Sequence, residues 1–203
     1  MIATVHQGDL PTGLDLGNEV AIDIETMGLK PERDRLCVVQ LSSGNGEAHL
    51  IQFTKNNYQA PNLCQLLNNP SILKLFHYAR FDIAIIQAYL RVVTTPVYCT
   101  KIASKIVRTY TNRHSLKDLC RDLLSIEVSK EKQSSDWGRN ELTQEQISYA
   151  ASDVLHLHKI KSRLDEMLAR EDRVEIAQAA FYFLATRAHL DLIGFSEEDI
   201  FAH

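Results

Sequence analysis

The sequence predicts an α/β fold, a mixed five-stranded sheet flanked by helices. Three observations carry this expectation. The first third holds three strand-like runs joined by short connections. Two further short apolar runs then alternate with helical periodicity, and from residue 101 onward the pattern is mostly helical. Strands that arrive as a meander and then alternate with helices build a sheet covered by helices.

The elements follow in order. Val20-Ala21-Ile22-Asp23-Ile24-Glu25 begins apolar and then alternates, which puts both acids on one side of a strand. Leu36 to Leu41 is a nearly continuous apolar run, the pattern of a buried strand. Gly44-Asn45-Gly46 marks a turn, and His49 to Phe53 returns as a third strand in an antiparallel meander. After Pro61, Leu63, Leu66 and Leu67 have helical spacing, and Ile72 to Phe76 is a fourth strand. From Phe81 a helix presents Ile85, Ala88 and Tyr89 on one face, and Pro96 to Thr100 is the fifth strand. Ser115 reads as an N-cap, with Asp118 standing where a capping box usually has Glu or Gln. Thr143 and Gln146 match that box fully and start a helix expected to run unbroken from about Gln144 to Leu168. The apolar run Ala177 to Leu184 is expected to pack on the core or on a neighbouring subunit.

Composition excludes several classes. With 203 residues, 45% hydrophobic and 24% charged, the chain is an ordinary globular sequence, expected to form one domain over residues 1–203. No apolar run is long enough to span a membrane, and the N-terminus shows no basic start before an apolar stretch, so no membrane segment or secretory signal is expected. Net charge is −4, from 22 basic and 26 acidic side chains. That balance excludes a broad phosphate-gripping surface; any nucleic-acid contact must be short, or its positive charge must come from metal. Lys101, Lys105 and Arg108 begin a locally basic stretch, read first as a solvated helix face. Cys37, Cys64, Cys99 and Cys120 include no C-x-x-C pair, so zinc and a redox dithiol are disfavoured, and buried thiols in a reducing cytoplasm are expected.

The chemistry lies in the acids. Asp23 and Glu25 stand side by side at the end of an apolar strand, where they repel and are costly to bury. A divalent cation such as Mg²⁺ or Mn²⁺ relieves both costs, whereas taken alone the triplet reads more simply as a strand end facing water. Asp82 opens the helix after an apolar strand, where an acid also complements the helix dipole. Tyr149 and Asp153 are one turn apart on a helix with only small residues between them. An acid inside that helix, beside Val154, Leu155 and Leu157, needs either a cation or a hydrogen-bonding partner.

Together Asp23-x-Glu25, Asp82 and Tyr149-x-x-x-Asp153 resemble the DEDD superfamily of 3′→5′ exonucleases, in the branch whose last motif is Y-x-x-x-D. Arg35 to Leu41, His77 to Asp82, His114 to Leu119 and Lys130 to Trp137 resemble corresponding segments of the ribonuclease D family, over roughly residues 18–168. Glu-Thr-Met-Gly-Leu, Cys-Thr-Lys-Ile-Ala-Ser and the tail Asp199 to His203 are similar to the short nanoRNase C family, counterparts of oligoribonuclease.

The resemblance implies a ribonuclease H-like fold and a catalytic core over about residues 18–168, with a C-terminal helical extension over about 169–203. It implies hydrolysis of dinucleotides and very short RNA with two divalent metal ions, and a homo-oligomer, an octameric ring. Asp23 would bridge the two ions. Glu25 and Asp153 would complete the nucleophile side, and Asp82 the leaving-group side. Tyr149 would orient the attacking water, since a free phenol is a poor base. Leu29, just past Thr26 and Met27, would wedge between two bases. His77, Tyr78 and Arg80 would reach phosphate or base, and Gln133, Ser134, Ser135 and Trp137 would cap the 5′ phosphate or stack. Two alternatives stay open: a broader ribonuclease D-type exonuclease acting on longer RNA or DNA, and a non-catalytic dinucleotide- or nucleic-acid-binding protein.

Overall fold

The computed structural model describes residues 2–31, 33–128 and 135–202. Its strands are β1 (Ile2–Gln7), β2 (Glu19–Thr26), β3 (Leu36–Ser42), β4 (Glu47–Gln52), β5 (Leu73–Phe76) and β6 (Val97–Cys99). Its helices are α1 (Pro61–Asn68), α2 (Ala79–Leu90), α3 (Thr100–Val107), α4 (Leu116–Leu124), α5 (Gln144–Leu155), α6 (Leu157–Arg170) and α7 (Val174–Leu190), with one π-helical turn at Asp191–Phe195. The sheet order is β1-β4-β3-β2-β5-β6. β2, β3 and β4 form the expected antiparallel meander. β5 and β6 add in parallel beyond β2.

The α/β architecture agrees with the sequence, but the sheet has six strands rather than five. The added strand, β1, pairs in parallel with β4 at the sheet edge and buries none of its residues. Ala3 and Val5 are half-buried against the core, but with polar His6 and Gln7 following, the alternation is too short to mark a strand in the sequence. The apolar run of β3 is buried at all seven positions, including Gln40.

The last long helix is also corrected: it breaks at His156 into α5 and α6. The reason is packing. α5 lies across β2, β3 and β4, whereas α6 packs on α3 and α4, so the chain changes partners at that point. Both predicted N-caps form; Thr143 with Gln146 makes the expected capping box, and Ser115 makes one too, with Asp118 serving in place of Glu or Gln. Arg108 is not on a solvated face; it is buried and paired with Asp122 at 2.5 Å. Cys37, Cys99 and Cys120 are buried free thiols, and Cys64 is only half-buried. In α7, Ala177, Phe181, Leu184 and Ala188 face the core, with Phe181 against Tyr98. Among the described residues no helix is long and apolar enough to cross a membrane.

Candidate active site

Strand alternation puts Asp23 and Glu25 on one face of β2, the strand between β3 and β5. A register shift falls between Glu25 and Thr26, after which β2 still pairs with β3 at Thr26–Leu36 and the Met27 amide donates to the Arg35 carbonyl before the loop begins. α5 packs over β2 and delivers Asp153 one helical turn after Tyr149. Oxygen atoms of Asp23, Glu25 and Asp153 all lie within 4.8 Å of one another. Asp82, from the first turn of α2, stands outside this close trio but lines the same cleft of about 550 Å³, as does Tyr149. One Asp82 oxygen, Oδ2, is buried without a protein partner.

The electrostatics follow from that crowding. Burial raises the Asp23 pKa from the ordinary carboxylate range to about 7, against the opposing pull of hydrogen bonds from Ile24 and Gln40. The Glu25 carboxyl is pushed well up by burial first, then by Asp23, Asp153 and Asp82. Asp82 is raised for the same reasons, burial first and then Asp23 and Asp153, with Lys101 pulling the other way. The Tyr149 phenol is held neutral by burial first and then by Asp153, Glu25 and Asp23. Without a cation these carboxyls repel and retain protons; with one, all can ionise together. The donor set is carboxylate oxygen alone, which suits the hard cations Mg²⁺ or Mn²⁺, and the unpartnered Asp82 oxygen is a further available ligand atom.

The rim holds several of the expected substrate contacts. Thr26, Met27 and Leu29 line the cleft, with Leu29 80% exposed at its mouth. The Thr26 hydroxyl donates to the Gly28 carbonyl and closes the loop on itself. A Cβ on Gly28 would stand 2.3 Å from Asp34 Oδ2, so a larger residue there has to displace that carboxylate. His77, Tyr78, Ser135 and Trp137 also line the cleft. Trp137 is buried, with its ring centroid 6.0 Å from that of Tyr149.

Arg80 is a correction. It is not among the residues lining the cleft; its guanidinium forks onto Asp191 at 2.6 and 2.8 Å instead. Gln133 and Ser134 lie outside the described residues. Three residues not predicted for the site are in place. Gln40 Nε2 donates to Asp23 Oδ2 at 2.7 Å from inside the sheet. Its signal was present, as a lone amide in a strand whose neighbours are apolar. Lys101 and Lys117 line the cleft, Lys101 with its ammonium 4.4 Å from the centre of the Tyr78 ring. Local periodicity left them on ordinary helix faces, because only the tertiary fold turns those faces toward the acids.

Residues 10–169 match the model of a family described as 3′-5′ exonuclease. The chain belongs to that family. Among solved structures, this exonuclease resembles Brucella melitensis NrnC at 51% identity and TM-score 0.97, covering 100% of both chains. Structures of that protein are described with bound Mg²⁺ and bound to pGG. Ribonuclease D of Granulibacter bethesdensis is 32% identical over 155 residues, 76% of this exonuclease and 39% of the relative. The exonuclease thus spans about two fifths of that curated relative. Escherichia coli RNase D shares the fold at TM-score 0.73 and 21% identity. The exonuclease is of the ribonuclease D and NrnC type.

Proposed function

We propose that the chain is a metal-dependent 3′→5′ exoribonuclease that hydrolyses dinucleotides and very short RNA to mononucleotides. The observation that carries this reading is the trio of carboxylates within 4.8 Å on the wall of a cleft that also holds Asp82 and Tyr149. Asp23, Glu25 and Asp153 would hold one divalent ion, and Asp23 and Asp82 a second. Bound there, the ions supply a water acidic enough to attack at neutral pH and a clamp on the leaving oxygen. Tyr149, a neutral phenol, orients rather than deprotonates the attacking water. Gln40 holds Asp23 in its ligating orientation. Leu29 presents an exposed apolar side chain at the mouth, placed to wedge between adjacent bases. Lys101 and Lys117 supply the only positive charge lining the cleft among the described residues, enough for one or two phosphates.

The likeness to NrnC, described bound to pGG, supports the dinucleotide preference. The ribonuclease D relatives support the broader alternative, trimming of longer 3′ ends. Turnover of a 5′-labelled dinucleotide against a twenty-residue RNA, with and without chelator, decides between them. Preference for the dinucleotide supports the first reading, and equal turnover supports the second. Hydrolysis that persists in chelator sinks both.

We further propose one domain, with a catalytic core at about 18–168 and a helical extension. The expected boundary at 169 falls inside α6, which ends at Arg170. Self-association, to an octamer, is proposed with the apolar side chains Ile176, Tyr182, Ile193 and Phe201 exposed on α7 and the tail as the contact surface. Light scattering checks the mass. Free cysteines accord with a reducing cytoplasm as the compartment.

A further inference from the structure

We propose that Asp191, beyond the last residue matched by the family model, is a positioning residue that acts through Arg80 on the helix carrying Asp82. The proposal rests on the site reading above. α2 starts without a cap from its own N-cap side chain, Tyr78; the first amide, of Ala79, faces the Cys99 thiol at the end of β6. Yet Tyr78, Phe81 and Asp82, all in or next to that first turn, line the cleft. An uncapped turn frays unless something else holds it.

Its inner face, Ala79 and Asp82, is buried in the core, and the grip on its outer face, at Arg80, comes from the C-terminal end of α7. Arg80, the second residue of α2, donates Nε to Asp191 Oδ2 at 2.6 Å and Nη2 to Oδ1 at 2.8 Å. The same Nη2 donates to the Ser196 carbonyl at 2.7 Å. Asp191 is 8% exposed and also accepts Arg187 Nη2 at 2.6 Å and Nε at 3.1 Å. Arg187 in turn donates to the Phe195 and Glu198 carbonyls. One enclosed carboxylate therefore takes both guanidinium groups, Arg80 across its two oxygens and Arg187 on Oδ1, and the turn after α7 adds the Ser196 carbonyl to a partly exposed Arg80. A forked pair in this setting fixes direction as well as distance, which an exposed single-contact pair does not. The ion pair spans 111 residues and ends two positions before Asp82. A helical extension joined to the fold only for stability would have no need to grip this particular turn.

The test compares wild type with Asp191→Asn, Arg80→Lys, Arg80→Met and the Asp191→Asn/Arg80→Met double variant. Arg163→Gln, which removes an exposed pair on α6, is the control. Readouts are kcat and KM on a dinucleotide, Mn²⁺ binding by calorimetry, and the thermal midpoint. Asp191→Asn should lower kcat about tenfold with KM changed less than about twofold, because a small misplacement of a ligand acts on chemistry before binding. Mn²⁺ binding should weaken in parallel. Arg80→Lys keeps the charge but not the fork and should fall between wild type and Arg80→Met. The double variant should be no worse than the worse single, since both remove one linkage. Lower thermal midpoints with unchanged kcat and unchanged Mn²⁺ binding, or strictly additive losses, overturn the proposal. Failure of wild type to hydrolyse any substrate counts against the function reading instead, and the Mn²⁺ titration of Asp191→Asn against wild type still decides the latch.

Discussion

Replacing Asp23 with Asn should make the metal-free protein more stable while abolishing hydrolysis. Burial raises the Asp23 pKa to about 7 rather than 3.8, and Asp23 in turn helps raise Glu25 and Asp82. Between those values the native state keeps a proton that the unfolded chain has released, so stability falls as pH rises from about 4 to about 7. The full difference corresponds to about 4 kcal/mol, and the half-open setting of Asp23 reduces it to about 1–2 kcal/mol. Asn keeps the shape and still accepts from Gln40, whose donor it faces at 2.7 Å in the native pair. In chelator at pH 8 the variant should therefore melt roughly 2–8 °C above wild type. Its melting temperature should also depend less steeply on pH, though a slope remains because Glu25 and Asp82 are raised too. Added Mn²⁺ should stabilise wild type more than the variant. Dinucleotide turnover should drop by about a thousandfold or more, since a lost metal ligand removes several kcal/mol of charge stabilisation. Differential scanning fluorimetry and a labelled-dinucleotide assay read both effects. A variant that is less stable in chelator, or that still turns over at the wild-type rate, refutes the electrostatic reasoning.

Other predictions are more local. Gln40→Leu removes the donor to Asp23 while filling the same enclosed volume, so Mn²⁺ binding by calorimetry should weaken about 10–100-fold; undiminished binding denies Gln40 its orienting role. Leu29→Ala truncates a side chain that is 80% exposed, so the melting temperature should hold within about 1 °C. Its KM for a dinucleotide should nevertheless rise about tenfold from lost apolar contact, and an unchanged KM removes the wedge. Gly28→Ala forces a Cβ toward Asp34 and should cost about 1–3 kcal/mol of stability by thermal melting, with reduced turnover as the loop shifts; a silent substitution contradicts the packing described.

How much was legible from the chain alone varies by element, and the reason is the range of the forces involved. Periodicity and capping are local, so β2, β3 and β4, the two N-caps and the acids' shared strand face could be read from neighbouring residues. The edge strand β1 could not, because only Ala3 and Val5 pack on the core and its place is set by pairing with β4, far along the chain. The break at His156 was also hidden, since each half of that helix is helical in itself and only its change of packing partners divides it. At the site, residue types announced a cation-binding chemistry. Distance did not: that Asp23, Glu25 and Asp153 close to within 4.8 Å while Asp82 stands apart is a property of how α5 and α2 dock on the sheet. Arg80 shows the same division. Its place beside the second motif suggested phosphate, but the acid that claims it is 111 residues away, and only folding brings opposite charges that distant into hydrogen-bonding contact.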